Sequence, residues 1–425
     1  METLHCGVAV IGGGPGGLAA ALAARERGAQ RVCVIERAEE LGGILQQCIH
    51  NGFGLEVLGQ DLPGPAYAQH FVNRAYELGV QPLLDTMVLE VTPRRSIYAT
   101  NSRDGVVEIQ AGAIVFGMGC RERTRGALAI PGTRPAGVYT AGTAQRLVNI
   151  EGYMPGRRFV ILGSGDIGMI MARRLTLEGA KVERVLEIMP YLSGLKRNLV
   201  QCLQDLGIPL QLRHTVREIK GDRRVEAVVS IAVDERGQPV AGSEETIPCD
   251  TLLLSVGLIP ENELSRRVGI RMDPLTAGPV VDEGMGTSLP GFFAAGNVVH
   301  VYDLVDWVTL AGEIAGRSAA EYALSRAPAD VRRLRTVVGD NVRYVVPHWL
   351  DPATLTRAPQ QLQLRVRQPV EEKVSVVVEA DGVEVWHKTE RYVRPGEMVT
   401  VKLAPDLYDP LREAKELKVS VRKPL

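Results

Sequence analysis

The sequence predicts an α/β protein in which two similar strand–turn–helix–strand units precede a short β-rich tail. An apolar strand, a glycine-rich turn, a helix and a second apolar strand follow one another from residue 8 to residue 36, and the same order recurs from residue 159 to residue 187. Beyond residue 333, apolar and polar residues alternate with the two-residue period of half-buried strands. A length of 425 residues also favours two or three domains over a single core.

Composition argues against several classes of function. The chain has 49 basic and 50 acidic residues, which gives no electrostatic reason to expect nucleic acid or an anionic membrane as a partner. The six cysteines lie at positions 6, 33, 48, 120, 202 and 249. They form no CxxC or metal-ligand spacing, so we expect neither a zinc site nor an iron–sulfur cluster. Unpaired thiols, with no signal peptide and no membrane span in the pattern, predict a cytoplasmic location.

The first glycine-rich turn, residues 12–17, has the spacing of a dinucleotide-binding unit. Glu36 follows Gly12 by 24 positions and ends the second strand. Glycines at these positions permit a tight turn, let backbone N–H groups approach a pyrophosphate and let helix and strand pack closely. The helix N-terminus then favours negative charge. The residues predicted to bind the dinucleotide are Gly12, Gly14, Pro15, Gly16, Gly17 and Glu36.

The second glycine-rich turn, residues 163–168, repeats this pattern. Glu187 follows Gly163 by the same 24 positions. A carboxylate there would accept hydrogen bonds from ribose hydroxyls and would repel a 2′-phosphate, which favours NAD over NADP. Either turn by itself could be a plain glycine-rich loop, but two complete units in one chain make that reading weak. The predicted contacts are Gly163, Gly165, Asp166, Ile167, Gly168 and Glu187.

Over roughly residues 5–325 the chain resembles the pyridine nucleotide-disulfide oxidoreductases, flavoproteins with two dinucleotide-binding domains. The matching motifs are Arg37 with residues 39–43, the apolar strands 113–119 and 251–257, and residues 287–297, where the family holds the flavin ribitol. The resemblance implies FAD in the first unit and NAD(H) in the second, with NADP the weaker candidate. The further cofactor contacts that it implies are Arg37, Gly42, Gly43, Val88, Gly119, Gly257, Gly296, Asn297 and Asp306.

The same resemblance implies a glutathione-reductase-like order of domains. The predicted segments are 1–125 and 281–333 for the two parts of the FAD-binding domain, 126–280 for the NAD(P)-binding domain, and 334–425 for a C-terminal β-rich domain. The alternating tail predicts a small β-sandwich, with a hairpin turn at Asp381-Gly382. We expect this domain to dock a partner protein, and simple capping of the main body is the alternative.

Three positions depart from the family pattern. Asn297 stands where the family has Asp, but an amide still offers an acceptor oxygen, so FAD binding is expected to survive. Asp306 is expected to cap the helix predicted over 307–323, whose N-terminus in the family points at the flavin. Ile170 replaces a glutamate that many relatives place near the nicotinamide, so that pocket is expected to differ.

The redox centre of the disulfide reductases has no counterpart in this sequence. Those enzymes need a pair of cysteines, and neither of the family's two pairs is present, which excludes a standard disulfide reductase. Cys48 is the candidate for a single redox thiol with a lowered pKa that cycles through sulfenic acid, and His50 is the candidate proton relay. The alternative is that Cys48 is a small buried apolar residue and that His50 makes ordinary hydrogen bonds.

A second resemblance concerns function. The run from Gly42 to Gly54 is similar to that of a bacterial branch encoded beside glycerol-3-phosphate-dehydrogenase-like flavoproteins, and to nucleotide-binding subunits of dye-linked amino-acid, opine and cyanide-forming dehydrogenases. It implies hydride transfer between NAD(H) and flavin, with electrons exchanged with the subunit of a partner dehydrogenase. The alternatives are a self-contained NADH oxidase or peroxidase using Cys48 and a nucleotide-stabilised scaffold. A homodimer and the direction of electron flow stay open.

Overall fold

The computed structural model describes residues 3–325 and 333–423. The chain divides into two compact units, one formed by residues 1–120 with 260–425 and the other by Arg121–Ile259. The sequence placed the inserted segment at 126–280, and its four-segment scheme stays a prediction. Residues 326–332, at the end of the predicted segment 281–333, lie outside the described residues.

The first sheet is built mainly by residues 3–116. The helices and strands of this region are β1 (Thr3–Ile11), α1 (Pro15–Glu26), β2 (Val32–Ile35), β3 (Asn51–Phe53), β4 (Leu62–Pro63), α2 (Gly64–Glu77), β5 (Gln81–Leu83), β6 (Thr86–Val91), β7 (Ser96–Asn101) and β8 (Gly105–Phe116), of which β3 and β4 pair with each other in a separate sheet. The strand order is β5-β2-β1-β8-β7-β6. β1 pairs in parallel with β2 and β8, so residues 8–11 are buried on both faces, which explains their uninterrupted apolar run.

The inserted unit repeats the parallel arrangement. Its elements are β9 (Cys120–Glu122), α3 (Arg125–Leu128), β10 (Val138–Thr140), α4 (Ala141–Asn149), β11 (Arg158–Leu162), α5 (Asp166–Leu177), β12 (Lys181–Glu187), α6 (Lys196–Asn198), β13 (Leu210–Leu212), β14 (His214–Lys220), β15 (Ala227–Ala232), β16 (Glu245–Pro248), β17 (Thr251–Leu254) and β18 (Leu258–Pro260). Five parallel strands follow the order β10-β17-β11-β12-β13. The order reverses at β11, and ligands of such sheets bind beyond the carboxyl ends of the strands at this point, here β11 and β17.

The returning chain completes the first sheet and adds the tail. Its elements are α7 (Glu263–Arg267), β19 (Phe292–Ala294), α8 (Val305–Ser325), β20 (Leu334–Val338), β21 (Val342–Val346), β22 (Trp349–Leu350), β23 (Gln360–Val366), β24 (Val374–Ala380), β25 (Val383–Glu390), β26 (Val399–Leu403), α9 (Tyr408–Leu411) and β27 (Glu416–Arg422). β19 pairs in parallel with the end of β8. α8 packs against α1 so closely that a Cβ on Gly312 would lie 2.3 Å from the Gly16 carbonyl oxygen.

The tail forms the predicted β-sandwich. A sheet of order β22-β20-β27-β24-β25 and a sheet of order β21-β23-β26 share one apolar core. Asp381 and Gly382 join β24 to β25 with φ of 46° and 87°, the positive values that a two-residue hairpin turn requires. The predicted fold class and this hairpin are therefore confirmed. Within residues 3–325 and 333–423, no helix has the length and apolar character needed to cross a membrane.

Candidate functional site

The first turn, residues 12–17, lies between β1 and α1 and is shaped by close backbone contacts. Gly12 has a φ of 105°, and a Cβ there would lie 2.5 Å from the Gly117 carbonyl oxygen. A Cβ on Gly17 would lie 1.8 Å from the Gly12 carbonyl oxygen. At Gly14, by contrast, an added Cβ would meet no described atom within 4 Å. The turn is thus closed beneath and open at the N-terminus of α1, a geometry that fits a phosphate group.

Glu36 follows β2 and ties the first turn in place. Its side chain is buried, with 8% of the residue exposed. Oε2 accepts a hydrogen bond from the Gly13 N–H at 2.7 Å, and Oε1 accepts one from the Ala38 N–H at 2.9 Å. Because a carboxylate offers about four acceptor positions, each oxygen retains one for a ribose hydroxyl, counted over the described residues. This capacity and the open Gly14 make the first turn fit the adenosine and pyrophosphate of FAD.

Other predicted flavin contacts lie around the same turn. Gly42 donates its N–H to the Gly13 carbonyl oxygen at 2.8 Å, and a Cβ on Gly43 would lie 2.9 Å from the Cα of Gly14. The remaining positions are the exposed Arg37, the buried Val88 of β6, Gly119 with a φ of 72°, and Gly296 with a φ of 75°. Their assignment to a cofactor stays a prediction.

Asn297 makes two contacts that orient its amide. Oδ1 accepts a hydrogen bond from the Tyr302 N–H at 3.0 Å, and Nδ2 donates to the Cys120 sulfur at 3.5 Å. The amide therefore serves as donor and acceptor at once, which the aspartate usual at this position could not do. The sequence did not predict this contact.

Asp306 has a different role from the one predicted. α8 begins at Val305, so Asp306 lies in the first turn of the helix and is not its N-cap. Its buried carboxylate accepts hydrogen bonds from three N–H groups of the loop after β3, those of Gly54 at 3.3 Å, Glu56 at 3.1 Å and Val57 at 2.9 Å. The N-cap prediction is wrong because tertiary contact with this loop directs the side chain away from the helix backbone. Asp306 holds the loop after His50 in place.

Cys48 does not have the lowered pKa that a redox thiol was expected to have. Burial raises the pKa of the Cys48 thiol to about 12, and the Sγ donates to the Ile44 carbonyl oxygen at 3.3 Å. A thiol with such a pKa stays protonated at neutral pH and is a poor nucleophile. His50 makes local contacts, with Nδ1 2.9 Å from the Asn51 carbonyl oxygen and its ring centroid 5.0 Å from that of Phe53.

The second turn, residues 163–168, reproduces the close contacts of the first. Gly163 has a φ of 102°, and a Cβ there would lie 2.0 Å from the Ser255 carbonyl oxygen. A Cβ on Gly168 would lie 2.8 Å from the Gly163 carbonyl oxygen. Gly165 is less open than Gly14, since its Cβ would lie 3.5 Å from the Ser255 Oγ. Gly257 follows β17 with a φ of 98° and is exposed.

Glu187 ends β12 and accepts more hydrogen bonds than Glu36 does. Oε1 accepts from the Met189 N–H at 2.9 Å. Oε2 accepts from the Ser164 N–H at 2.9 Å, the Ser164 hydroxyl at 2.7 Å and the Ser193 hydroxyl at 2.9 Å. The two N–H donors match those of Glu36, whereas the two hydroxyl donors have no counterpart in the first unit. Glu187 is 4% exposed.

Asp166 is the first residue of α5, and its carboxylate accepts hydrogen bonds from other residues of the inserted unit. Its Oδ1 accepts from the Leu195 N–H at 2.8 Å and from the Asn198 Nδ2 at 2.6 Å. Ile167, the next predicted contact, is half-buried and packs against the core of the inserted unit. Asp166 therefore connects the second turn to the segment that follows β12.

Sequence reasoning missed Ser164, Ser193 and Asn198, which surround these two carboxylates. A signal for them was present. Gly194 follows Glu187 by seven positions much as Gly42 follows Glu36 by six, and each glycine N–H donates to a carbonyl oxygen of its glycine turn. The post-strand segment is therefore part of the repeat, which a search restricted to the glycine motif does not reveal.

Comparison with known sequences places these features in context. The family model described as pyridine nucleotide-disulphide oxidoreductase matches residues 7–315. An opine oxidase subunit of Agrobacterium tumefaciens is 28% identical over 335 residues, which cover 74% of this chain and 65% of that protein. Hydrogen cyanide synthase subunit HcnB of Pseudomonas protegens is 24% identical, with coverage of 74% and 67%. The chain thus spans just under two thirds of the length of the opine oxidase relative.

Three further similar proteins are not named as subunits. An NAD(P)H sulfur oxidoreductase (CoA-dependent) of Pyrococcus abyssi is 27% identical, covering 74% of this chain and 69% of that protein. Among solved structures, T. acidophilum thioredoxin reductase is 23% identical with a TM-score of 0.62, covering 76% of this chain and 99% of that one. An NAD-dependent persulfide reductase from A. fulgidus is 18% identical with a TM-score of 0.58, covering 95% and 71%. The structural likenesses concern the fold.

Proposed function

The chain belongs to the pyridine nucleotide-disulphide oxidoreductase family, which uses FAD and NAD(P)H, and we propose that it transfers hydride between NAD(H) and flavin and exchanges electrons with the subunit of a partner dehydrogenase. The observation that carries the proposal is the paired geometry. Each of two glycine turns opens a helix, and each is held by a buried glutamate at the end of the next strand, Glu36 and Glu187.

The chain's own residues contribute binding and orientation. The N-terminus of α1 with Gly14 would receive the FAD pyrophosphate, and Glu36 would accept from its ribose hydroxyls. Asn297, oriented by Tyr302 and Cys120, would face the ribitol. The bound flavin supplies the hydride-accepting chemistry, and the protein supplies geometry and electrostatics. The proposal includes no pair of redox cysteines, so it does not describe a standard disulfide reductase.

The proposal of a partner subunit rests on the similar proteins and on the C-terminal β-sandwich. The opine oxidase and hydrogen cyanide synthase relatives are, by name, subunits of larger enzymes. The β-sandwich is anchored beside the flavin-signature segment, because Arg365 donates to the Val301 carbonyl oxygen at 3.1 Å and the Met398 N–H donates to Asp303 at 2.8 Å. Val301 and Asp303 follow residues 287–297 closely in sequence, so a partner docked on this domain would lie near the segment where the family holds the flavin ribitol. We propose a dehydrogenase of the glycerol-3-phosphate or amino-acid type as this partner.

The first experiment is anaerobic addition of NADH, and separately NADPH, to the FAD-loaded full chain while the visible flavin absorption is followed. Bleaching with NADH and slower bleaching with NADPH are expected. The reduced protein is then mixed with oxygen or with an electron-accepting dye. Fast reoxidation by the dye and slow reoxidation by oxygen support a partner acceptor, whereas fast reaction with oxygen supports an oxidase. Absence of bleaching with both nucleotides would refute the hydride transfer.

A second candidate is a nucleotide-stabilised scaffold without NADH chemistry. It is favoured by one observation, the four hydrogen bonds that Glu187 already accepts within its own unit. The oxidase or peroxidase using Cys48 is disfavoured, because burial raises the pKa of that thiol to about 12.

A further inference from the structure

The second turn is covered by three residues of its own unit, Ser193–Leu195, here called the closing segment. The Gly194 N–H donates to the Ser164 carbonyl oxygen at 3.0 Å, and the Ser193 N–H donates to the Ser164 hydroxyl at 3.0 Å. Gly194 is buried, and a Cβ on it would lie 2.8 Å from the Asp166 Oδ1 and 2.9 Å from the Asp166 nitrogen. The closing segment therefore lies directly against the N-terminus of α5.

The closing segment also bonds to the carboxylate that a bound ribose would need. The Ser193 hydroxyl donates to Glu187 Oε2 at 2.9 Å, and the Ser164 hydroxyl donates to the same oxygen at 2.7 Å. With the two N–H donors, Oε2 accepts three hydrogen bonds and Oε1 accepts one, so only Oε1 has an acceptor position left, among the described residues. The two adjacent hydroxyls of a ribose require two. Ser193 and a ribose therefore compete for Glu187.

The negative charge at the N-terminus of α5 also opposes nucleotide binding. Asp166 is the first residue of α5, where the helix dipole favours negative charge, and Pro15 holds the equivalent position in α1. The Asp166 carboxylate accepts from the Leu195 N–H at 2.8 Å, so the negative charge at this end comes from the protein and holds the closing segment. A pyrophosphate would bring a second negative charge to the same place.

We propose that the closing segment is a displaceable latch on the second nucleotide site and that Ser193 is the positioning residue that sets the affinity of this site for NAD(H). In the closed conformation the Ser193 hydroxyl holds the position that a ribose hydroxyl takes on Glu187. Nucleotide binding then requires the latch to open. The apparent affinity is therefore the affinity of the open form multiplied by the fraction of molecules in which the latch is open. This inference rests on the proposed function, in which the second turn receives NAD(H).

The test compares Ser193→Ala with the wild-type, FAD-loaded full chain. Binding of NAD⁺ and of ADP-ribose is measured by isothermal titration calorimetry, which does not depend on hydride transfer. Loss of one hydrogen bond from the closed state is expected to tighten binding of both by about three- to tenfold. The matched control is Thr176→Ala, which removes a hydroxyl bonded to the Ala172 carbonyl oxygen near the other end of α5 and is expected to change neither affinity.

A second measurement follows the segment itself. Hydrogen exchange of the Ser193, Gly194 and Leu195 amides is compared with and without saturating NAD⁺. Faster exchange is expected with NAD⁺, because these N–H groups lose their hydrogen-bond acceptors when the latch opens. Unchanged or weaker binding by Ser193→Ala, no binding by either protein, or slower exchange with NAD⁺ would each overturn the latch. If Ser193→Ala binds more tightly but NADH bleaches neither protein, the latch stands and the hydride transfer fails.

Discussion

The two glycine turns share a register but differ in what surrounds the ligand positions. In both, a glutamate 24 positions after the first glycine accepts from an N–H of the turn and from an N–H two residues beyond itself. Glu36 accepts no other hydrogen bond among the described residues, whereas Glu187 accepts two more from serine hydroxyls. The helix that follows begins with a proline in the first unit and an aspartate in the second. The two turns thus share a backbone shape, but Glu36 keeps an acceptor position on each oxygen, whereas Glu187 keeps one only on Oε1, counted over the described residues.

The glycine register therefore specifies a backbone shape, whereas the affinity for a nucleotide depends on the side chains around the turn. Glycine spacing is set by close contacts such as those at Gly17 and Gly168, which both units require for packing. The capacity to bind depends on unoccupied acceptors and on local charge, which the motif does not contain.

The largest expected effect comes from breaking the packing at the third glycine of each turn. A Cβ at residue 17 would lie 1.8 Å from the Gly12 carbonyl oxygen, and one at residue 168 would lie 2.8 Å from the Gly163 carbonyl oxygen. Gly17→Ala is expected to purify without flavin, and Gly168→Ala is expected to retain it, since the two turns are in different units. Visible absorption and flavin released on denaturation measure the content. Equal flavin in both variants would contradict the assignment of FAD to the first turn.

The next largest effect separates the two glutamates. Glu36→Gln is expected to weaken FAD binding by about 10- to 100-fold, because hydrogen bonds to a charged group contribute about 1.5–3 kcal/mol. Glu187→Gln is the matched variant, and its FAD affinity is expected to equal that of the wild type. Titration of the apoprotein with FAD, followed by flavin fluorescence, gives both values. A comparable loss in Glu187→Gln would show that the two sites are not separable.

A smaller effect is expected when the charge at the start of α5 is removed. Asp166→Asn keeps an acceptor oxygen for the Leu195 N–H but removes the negative charge, so NAD⁺ is expected to bind about two- to fivefold more tightly, in line with helix-terminus effects of about 0.3–1 kcal/mol. The gain is expected to shrink at high salt. Asp205→Asn, at an exposed position of the same unit, serves as the charge control in calorimetric titrations. An equal gain in both variants would indicate a general charge effect.

The smallest expected effect concerns Cys48, which follows the two glycines, Gly42 and Gly43, that contact the first turn. Because burial raises the pKa of this thiol to about 12, its thiolate fraction is low at neutral pH and rises as pH rises. Labelling by iodoacetamide, followed by peptide mass spectrometry, is expected to accelerate about tenfold per pH unit from about pH 7 to about pH 10. The unfolded protein is the control, and its rate is expected to level off near the ordinary thiol pKa of about 8.5. A plateau in the folded protein near pH 7 would restore Cys48 as a redox candidate.

Much of the fold followed from local pattern. The two predicted strand–turn–helix–strand units are present as β1–α1–β2 and β11–α5–β12, and the second unit ends at Glu187 as predicted. These elements are buried on both faces or have a strong period, so their sequences carry a clear signal. The hairpin at Asp381-Gly382 was equally predictable, because only a few residue types tolerate two successive positive φ angles.

The amino-acid order alone predicts two glycine turns, two acidic residues in equivalent register and a β-rich tail. The hydrogen bonds that Asp306 accepts from a loop 250 residues earlier in the chain, and the raised pKa of the buried Cys48, arise from tertiary packing. The hydrogen bond that the Ser193 hydroxyl donates to Glu187 arises in the same way. The physical reason is that hydrogen-bond saturation and desolvation depend on which atoms meet in space, whereas periodicity and glycine spacing record only what the backbone requires locally.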